Sequence, residues 1–296
     1  MSKTLRSLLL LLACARQVPE KEIAANWKQQ QRPLILAHRG GAWSRPENTL
    51  PAFKHALELG ADGLELDVHL SRDQELVVIH DFTVQRTTQG LGKVQEMDLQ
   101  QLKMLDAGHS FSPPGRPTEH PYRGQGIEIP TLEEVLQTFP NALLCIEIKP
   151  NQSRIADRLA KLLQEYNRVD KTIVSSFHHQ VLKRMREVLP QVATSASKKE
   201  VRRVYFLHRL GLSWIYTPKA EVLQIPENVG SVQLARPQLI RQAQDKGLLV
   251  QLWTVNLAEK MRRFLKLDVH GIITDRPDLL LEILNEQGEG NHKSST

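Results

Sequence analysis

The chain has 296 residues, of which 41% are hydrophobic and 24% charged, and its formal net charge at neutral pH is +6. This is the composition of a globular protein, and the length suits one large α/β domain. With only two cysteines, Cys14 and Cys145, no disulfide framework is indicated. Zinc-finger spacing and an aromatic RNA-binding signature are absent, so nothing indicates a nucleic-acid partner.

The first predicted element is an apolar N-terminal segment. Lys3 and Arg6 precede an apolar run over residues 8–15, which is shorter than the roughly 20 residues that span a bilayer. The order is that of a short export signal, and the letters LLAC ending at Cys14 resemble a lipoprotein cleavage box. We therefore assign residues 1–30 to a signal-like or anchor-like segment. The alternatives that stay open are a cleaved or lipidated signal, an uncleaved membrane anchor, and a cytoplasmic protein.

From residue 31 to residue 286 we predict a single α/β domain, because strand-like apolar runs alternate with helical patterns. The eight runs are LILAHR, GLELDVHL, ELVVIHD, ALLCIEIK, TIVSSF, VATSAS, LLVQLWTV and HGIITD. Helical patterns occupy 49–60, 131–139, 153–166, 178–189, 237–246 and 257–267. Since a parallel crossover needs a helix to return the chain, the alternation predicts a (β/α)₈ TIM barrel. An open doubly wound sheet is the alternative, but no G-x-G-x-x-G follows the first run.

Two regions break this rhythm, and a basic stretch and a polar tail stand apart from it. Residues 82–130 are rich in proline and glycine, and we interpret them as an insertion after the third strand, on the face where barrel enzymes build their sites. Residues 199–230 contain several aromatic residues, which we interpret first as a core helix and strand and otherwise as an apolar shelf for a substrate. Lysine and arginine concentrate between residues 183 and 209, as on solvated helix faces or on a patch for anionic lipid or phosphate. The polar tail 287–296 is predicted to be disordered.

Carboxylates occur within two of the predicted strands. Glu65 and Asp67 are two positions apart and therefore share a strand face, and Glu147 stands in the fourth run. Parallel barrel strands are normally apolar throughout, because both of their faces are buried. Carboxylates there carry a desolvation penalty unless a cation offsets it. All-oxygen ligands favour Mg²⁺ or Ca²⁺ over zinc, so the three residues predict a divalent-cation site.

Two histidines and two cations accompany these carboxylates. His38 and Arg39 end the first run, His80 ends the third, and Lys149 follows Glu147 on the same strand face. Paired imidazoles suit general acid and base catalysis near neutral pH. A guanidinium and an ammonium suit the non-bridging oxygens of a phosphate. Because the ends of parallel barrel strands meet at one rim, we expect all of these groups in a single cluster.

With these residues the chain resembles the glycerophosphodiester phosphodiesterase family. The similarity covers most of the chain, from about residue 32 to residue 284. Its elements occur in order and are specific as a set: HRG at 38–40, PENT at 46–49, ELD at 65–67, HD at 80–81, RTT at 86–88, EIK at 147–149, WTVN at 253–256 and ITDRP at 273–277.

The resemblance implies a TIM barrel that hydrolyses a phosphodiester with a divalent cation. It further implies an attack by the substrate's own glycerol hydroxyl, giving a cyclic phosphate that water opens. Glu47 is expected to support the first loop, and Trp253 either packs against the glycerol carbons or fills the rim. The implied roles are metal ligands at Glu65, Asp67 and Glu147, an acid–base pair at His38 and His80, with metal contact by His80 as an alternative, and phosphate binding by Arg39 and Lys149.

The expected reaction converts a glycerophosphodiester to sn-glycerol 3-phosphate and an alcohol. The rival substrate is a lysophospholipid, cleaved in the manner of a lysophospholipase D at a membrane surface. An anion-binding barrel without turnover is the alternative outside the enzyme class. We expect a small-molecule substrate, no nucleic acid, and peripheral membrane association or export through the N-terminal segment, with a cytoplasmic location otherwise.

Overall fold

The computed structural model describes Lys21, Ile23, Trp27, Gln30 and residues 32–293. Apart from those four residues, the predicted segment 1–30 lies outside the described residues, and Cys14 lies outside with it. Among the residues that are described, no helix has both the length and the apolar content needed to cross a bilayer.

The described chain forms eleven strands and nine α-helices. The strands are β1 Leu34–His38, β2 Gly63–Leu70, β3 Leu76–Val78, β4 Leu143–Ile148, β5 Thr172–Ser175, β6 Ala193–Thr194, β7 Val222–Pro226, β8 Asn228–Val229, β9 Val232–Gln233, β10 Leu249–Trp253 and β11 Gly271–Thr274. The helices are α1 Leu50–Leu59, α2 Leu99–Lys103, α3 Leu132–Thr138, α4 Arg154–Glu165, α5 His179–Val188, α6 Lys198–Arg209, α7 Pro237–Asp245, α8 Ala258–Leu265 and α9 Pro277–Lys293. Helix α9 includes residues 287–293 of the predicted tail, and the last three residues lie outside the described part.

Eight of the strands form a parallel barrel, in the order β6-β5-β4-β2-β1-β11-β10-β7. The remaining seam, between β6 and β7, closes through a parallel bridge from Ser195 to Val222. Beside that bridge, the Ala196 N–H donates to the Val222 carbonyl at 2.8 Å. The predicted (β/α)₈ TIM barrel is thereby confirmed.

The barrel differs from the prediction in which strands it contains. The third apolar run forms β3, which pairs antiparallel with β2 and stands outside the parallel wall. Treating that run as a barrel strand was wrong, because residues 71–75 between β2 and β3 are too few for a parallel crossover. The missing eighth strand is β7, which lies with α6 in the region 199–230 that we interpreted first as a core helix and strand. The insertion follows β3 in chain order, as predicted.

Helix ends follow the local sequence. Thr49 caps α1 by accepting from the Ala52 N–H, and Gly60 ends it in the left-handed region at φ +101°. Thr131 and Glu134 form a reciprocal capping box at the start of α3. These caps fix where each helix leaves the barrel, and therefore where the loop before it crosses the rim.

The end of the barrel opposite the site is closed by apolar side chains. Ile23 and Trp27, only 2% and 3% exposed, pack in one cluster with Leu34, Val222 and Leu249 at the first residues of their strands. Because the barrel strands are parallel, the polar residues that end them lie at the opposite rim.

Candidate active site

The turn after β1 directs the first two site residues into the mouth. Arg39, Gly40 and Gly41 have φ values of +50°, +83° and +83°, three consecutive residues in the left-handed region. A Cβ atom at Gly40 would lie 2.8 Å from the Phe53 ring, so glycine is required there for packing as well as for its φ angle. The turn aims the Arg39 N–H at the Glu65 carboxylate, to which it donates at 3.0 Å.

The three predicted metal ligands lie together. One carboxylate oxygen each from Glu65, Asp67 and Glu147 lies within 4.8 Å of the others. Parallel pairing of β2 with β4 places Asp67 directly opposite Glu147. Asn48 donates its side-chain N–H to Asp67 at 2.9 Å and so fixes one of the oxygens.

Burial raises the free-energy cost of ionising the carboxylates in this cluster. Desolvation, followed by the neighbouring charge of Asp67, raises the pKa of Glu65 well above its usual range. Burial also raises the pKa of Glu147, in spite of the nearby Lys149 ammonium. The protein alone therefore opposes three ionised carboxylates at this place. A divalent cation fits this site, because carboxylate oxygens are hard ligands and the positive charge of the ion would compensate their negative charge.

Two cationic side chains border the cluster. The Arg39 guanidinium lies 3.3 Å from Asp67, and the Lys149 ammonium lies 3.1 Å from Glu147 and 3.5 Å from Asp67. With all three carboxylates ionised, the two positive charges leave the set negative by one, so the residues together accommodate a further cation. Once that charge is balanced, Arg39 and Lys149 can face an anionic substrate.

His38 is oriented by Asp275, the residue that follows β11. Its Nδ1 lies 2.6 Å from Asp275, and its Nε2 lies 3.9 Å from Glu65. Asn256 holds Asp275 in turn, donating to its carboxylate at 2.6 Å. Burial lowers the pKa of His38, but the Asp275 hydrogen bond and the Glu65 charge outweigh burial and leave that pKa raised. Sequence reasoning gave Asp275 no role, although it stands inside the ITDRP element and could have been flagged there.

His80 is held in a parallel manner on the other side of the cluster. Its Nδ1 lies 2.6 Å from Asp81, and its backbone carbonyl is 3.1 Å from the His69 Nε2. Burial is the main cause of the lowered pKa of His80, and the Arg39 and Lys149 charges lower that pKa further.

Glu47 joins the two halves of the site. It accepts hydrogen bonds from Arg39 at 2.8 Å and from Arg86 at 2.7 Å, while Arg86 also binds Asp81. Burial raises the pKa of Glu47, but the Arg86 hydrogen bonds and the Arg39 charge outweigh burial and bring the pKa down to about 2. Glu47 thus holds Arg39 and, through Arg86, the loop of His80 in one ion-paired network.

One pocket of about 160 Å³ contains the whole constellation. All eight predicted site residues line it: His38, Arg39, Glu65, Asp67, His80, Glu147, Lys149 and Trp253. The Trp253 ring packs edge-on against Phe177, with ring centroids 5.8 Å apart, so both indole and phenyl form one apolar side of the pocket.

A larger cavity of about 1150 Å³ opens beside this pocket and shares Lys149, Phe177 and Trp253 with it. We call it the side groove. One of its walls is a face of α6, including Val201 and Phe206. The opposite wall is the β8–β9 hairpin and its surroundings, with Val229, Val232 and Leu234.

The fold and the site together define a (β/α)₈-barrel enzyme whose chemistry is directed at a phosphate ester. The model of the Glycerophosphoryl diester phosphodiesterase family matches residues 38–279. A glycerophosphodiester phosphodiesterase of Caldanaerobacter subterraneus subsp. tengcongensis is 36% identical over 87% of this chain and its own entire length. The chain belongs to the glycerophosphodiester phosphodiesterase family, and so to an enzyme class rather than to the anion-binding barrels without turnover.

Two further similar proteins share a lower sequence identity with this chain. A human lysophospholipase D is 26% identical, with 87% of this chain and 88% of the human protein covered. The structure of an Oleispira antarctica phosphodiesterase in complex with the product sn-glycerol-3-phosphate superposes with a TM-score of 0.71 at 24% identity. That superposition covers 88% of this chain and 99% of the Oleispira chain, and it supports the fold.

Proposed function

We propose that this protein hydrolyses glycerophosphodiesters to sn-glycerol 3-phosphate and an alcohol. The observation that carries the proposal is the meeting of Glu65, Asp67 and Glu147 with His38 and His80 in one pocket. The Caldanaerobacter relative bears the name of this activity, and the Oleispira phosphodiesterase holds sn-glycerol 3-phosphate, which is the product expected here.

The carboxylates of Glu65, Asp67 and Glu147 would hold Mg²⁺ or Ca²⁺. When bound, such an ion supplies positive charge that polarises the phosphoryl oxygens. Arg39 and Lys149, on either side of the carboxylates, bind non-bridging phosphate oxygens and orient the phosphorus.

The two histidines move the protons. One accepts the proton of the glycerol hydroxyl next to the phosphate, as its oxygen bonds to phosphorus. The other donates a proton to the departing alcohol oxygen as that P–O bond breaks. A cyclic phosphate results, and water opens it with the histidine roles reversed. An internal nucleophile of this kind benefits from a high effective molarity.

The test is a pair of histidine variants. In His38→Ala and His80→Ala, choline release from glycerophosphocholine should fall by about 10²-fold or more, since general acid–base catalysis contributes about that much. Calorimetric binding of Mg²⁺ and Ca²⁺ should be retained, because the carboxylates are untouched. His55→Ala is the matched control, as His55 lies on α1 outside both cavities. Near wild-type rates in both active-site variants would contradict the assignment.

Lysophospholipase D activity is the second candidate, and the side groove is the observation that favours it. Its apolar walls open directly onto the pocket, and the human relative carries that name. A side-by-side assay of glycerophosphocholine and long-chain lysophosphatidylcholine decides between the substrates. A kcat/KM that is higher for the acylated substrate would favour the lysophospholipase D activity.

For the N-terminal segment we propose export or membrane anchoring through residues 1–30, with lipidation at Cys14 as one form of it. The support is the order of charged and apolar residues in the sequence. Mass spectrometry of the mature N-terminus tests it, since an unmodified Met1 in a soluble fraction would contradict the proposal.

A further inference from the structure

Exposed hydrophobic side chains are concentrated in one short segment, residues 206–215, which we call the elbow. Twelve large hydrophobic side chains are exposed in the described part of the chain, and five of them lie within these ten residues. Apolar patches of this kind on a protein surface usually meet another molecule. The five, with their exposed fractions, are Phe206 61%, Leu210 67%, Leu212 36%, Trp214 69% and Ile215 44%.

Polar contacts hold the elbow in its outward position. Helix α6 ends before Gly211, where a φ of +69° reverses the chain. The Ser213 hydroxyl then donates to Gln242 of α7 at 2.6 Å, and the Lys246 ammonium donates to the Trp214 carbonyl at 3.0 Å. Because the backbone is tied to α7, the apolar side chains remain presented to the outside.

The helix leading into the elbow is strongly basic. Residues 198–219 contain six lysines and arginines and one acidic residue, Glu200, which is ion-paired with Arg186 at 2.7 Å. Within the described ranges, no ion pair neutralises any of the six. The exposed positions of α6 recur every three or four residues, so its cations share a face with Phe206. The six are Lys198, Lys199, Arg202, Arg203, Arg209 and Lys219.

We propose that the elbow is a membrane-docking surface, which inserts its apolar side chains into the interface of a bilayer that contains anionic lipid. Tryptophan is favoured at the lipid–water interface, as Trp214 would be here. Unpaired cations on the same face would contact lipid phosphates, which is the arrangement of interfacial helices. A second copy of the chain is a poorer occupant, because both copies would bring the same positive charge to the contact.

The position of the elbow connects docking with the active site. Val201, Tyr205 and Phe206 of α6 line the side groove, which opens onto the catalytic pocket. A bilayer in contact with Phe206 therefore lies at the outer edge of that groove. The docking itself does not rest on the proposed hydrolysis, and its test needs no substrate.

Tryptophan fluorescence locates the contact directly. The full-length protein is mixed with vesicles of phosphatidylcholine that contain about one third phosphatidylglycerol, with bromine atoms on the acyl chains. We expect the bromines to quench the wild-type fluorescence and this quenching to be largely lost in Trp214→Phe, because Trp214 is the most exposed of the described tryptophans at 69%. Of the others, Trp27 is only 3% exposed, Trp43 is stacked under Arg276, and Trp253 lies in the catalytic pocket. Equal quenching in wild type and Trp214→Phe would overturn the proposal, whatever membrane affinity the N-terminal segment adds.

Vesicle sedimentation provides the energetic test. We expect the partition coefficient of Leu210→Ser/Trp214→Ser to be at least about tenfold below wild type, since two exposed apolar side chains are removed. The matched control is Leu91→Ser/Met104→Ser, whose residues are 82% and 70% exposed elsewhere. Added salt should weaken the binding of the wild type. Equal losses in both double variants, or elbow-dependent dimerisation without lipid, would overturn the proposal.

Discussion

His38 and His80 are each held through Nδ1 by an aspartate at 2.6 Å, Asp275 in one case and Asp81 in the other. A carboxylate at Nδ1 fixes the tautomer and the ring orientation, so that Nε2 is the nitrogen that exchanges protons. Both aspartates are themselves restrained, Asp275 by Asn256 and Asp81 by Arg86. We therefore regard the two aspartates as positioning residues for the proposed acid–base pair.

Asp275→Asn tests this positioning. An amide cannot hold His38 through a charge-assisted hydrogen bond, so we expect kcat on glycerophosphocholine to fall by about 10²-fold or more. KM, the melting temperature and Mg²⁺ binding should change little. The matched control is Asp278→Asn, in the first turn of α9, which loses the ion pair with Arg276 and does not line the catalytic pocket. A merely structural role for Asp275 would instead lower the melting temperature and leave kcat nearly unchanged.

The lowered pKa of Glu47 predicts that the folded protein loses stability as the pH becomes acidic. Its pKa is about 2 in the folded protein, below its usual 4.5, because the Arg86 hydrogen bonds and the Arg39 charge outweigh burial. The stability that Glu47 contributes is therefore complete above about pH 4.5 and is lost as the pH falls towards 2. Glu47→Gln should lower the free energy of unfolding by roughly 2–3 kcal/mol at neutral pH, with the difference shrinking through that window.

Urea unfolding of both proteins at several pH values measures this difference. Glu58→Gln is the control, because Glu58 is 62% exposed and should show almost no pH-dependent difference from wild type. A Glu47→Gln effect of constant size from neutral pH down to acid would contradict the ion-pair explanation.

Among the elements, β3 was assigned wrongly from its hydrophobic pattern. Its apolar residues look like those of a buried parallel strand, because burial on both faces gives the same run whichever way a strand points. The five residues that separate β2 from β3 were the discriminating signal, since a hairpin fits them and a helical crossover does not. Strand β7 was not among the eight apolar runs, but it lies in the region 199–230 that we interpreted first as a core helix and strand. The helices with clear caps, such as α1 and α3, were predicted closely.

Arg168 connects elements by burying a guanidinium that is only 1% exposed. It donates to the carbonyls of Phe139 and Ala142, at the end of α3 and just before β4. Arg168→Leu should lower the free energy of unfolding by about 2 kcal/mol, since two buried carbonyls lose a charged donor while a buried charge is removed. Urea unfolding measures it, and Arg154→Leu on exposed α4 surface should be near neutral. A stabilised Arg168→Leu would mean that the desolvation of Arg168 outweighs its hydrogen bonds.

For the whole molecule, the sequence predicted which residues meet but not what surrounds them. The eight predicted residues share one pocket because the rim of a parallel barrel gathers strand ends, which is a property of the fold class. The side groove depends instead on how α6 stands relative to the β8–β9 hairpin, and no spacing along the chain encodes that distance. The role of Asp275 likewise depends on the pairing of β11 with β1, which brings the last and the first strands of the barrel together.

The carboxylate cluster should couple cation binding to global stability. We expect saturating Ca²⁺ or Mg²⁺ to raise the melting temperature by about 5 °C or more over protein in EDTA, because a ligand at 100 times its Kd adds roughly 2.7 kcal/mol. Differential scanning calorimetry measures the shift. Glu65→Gln/Asp67→Asn should abolish it, with Glu133→Gln/Asp170→Asn as the surface control. Equal melting temperatures with EDTA and with either cation would contradict a cation site at this place.

Ile23 and Trp27 pack among apolar residues at the beginnings of the barrel strands, so part of the chain before β1 belongs to the folded core. Burying an isoleucine and a tryptophan removes a large apolar area from water. A cut between Trp27 and β1 that released these two side chains would therefore weaken the barrel itself.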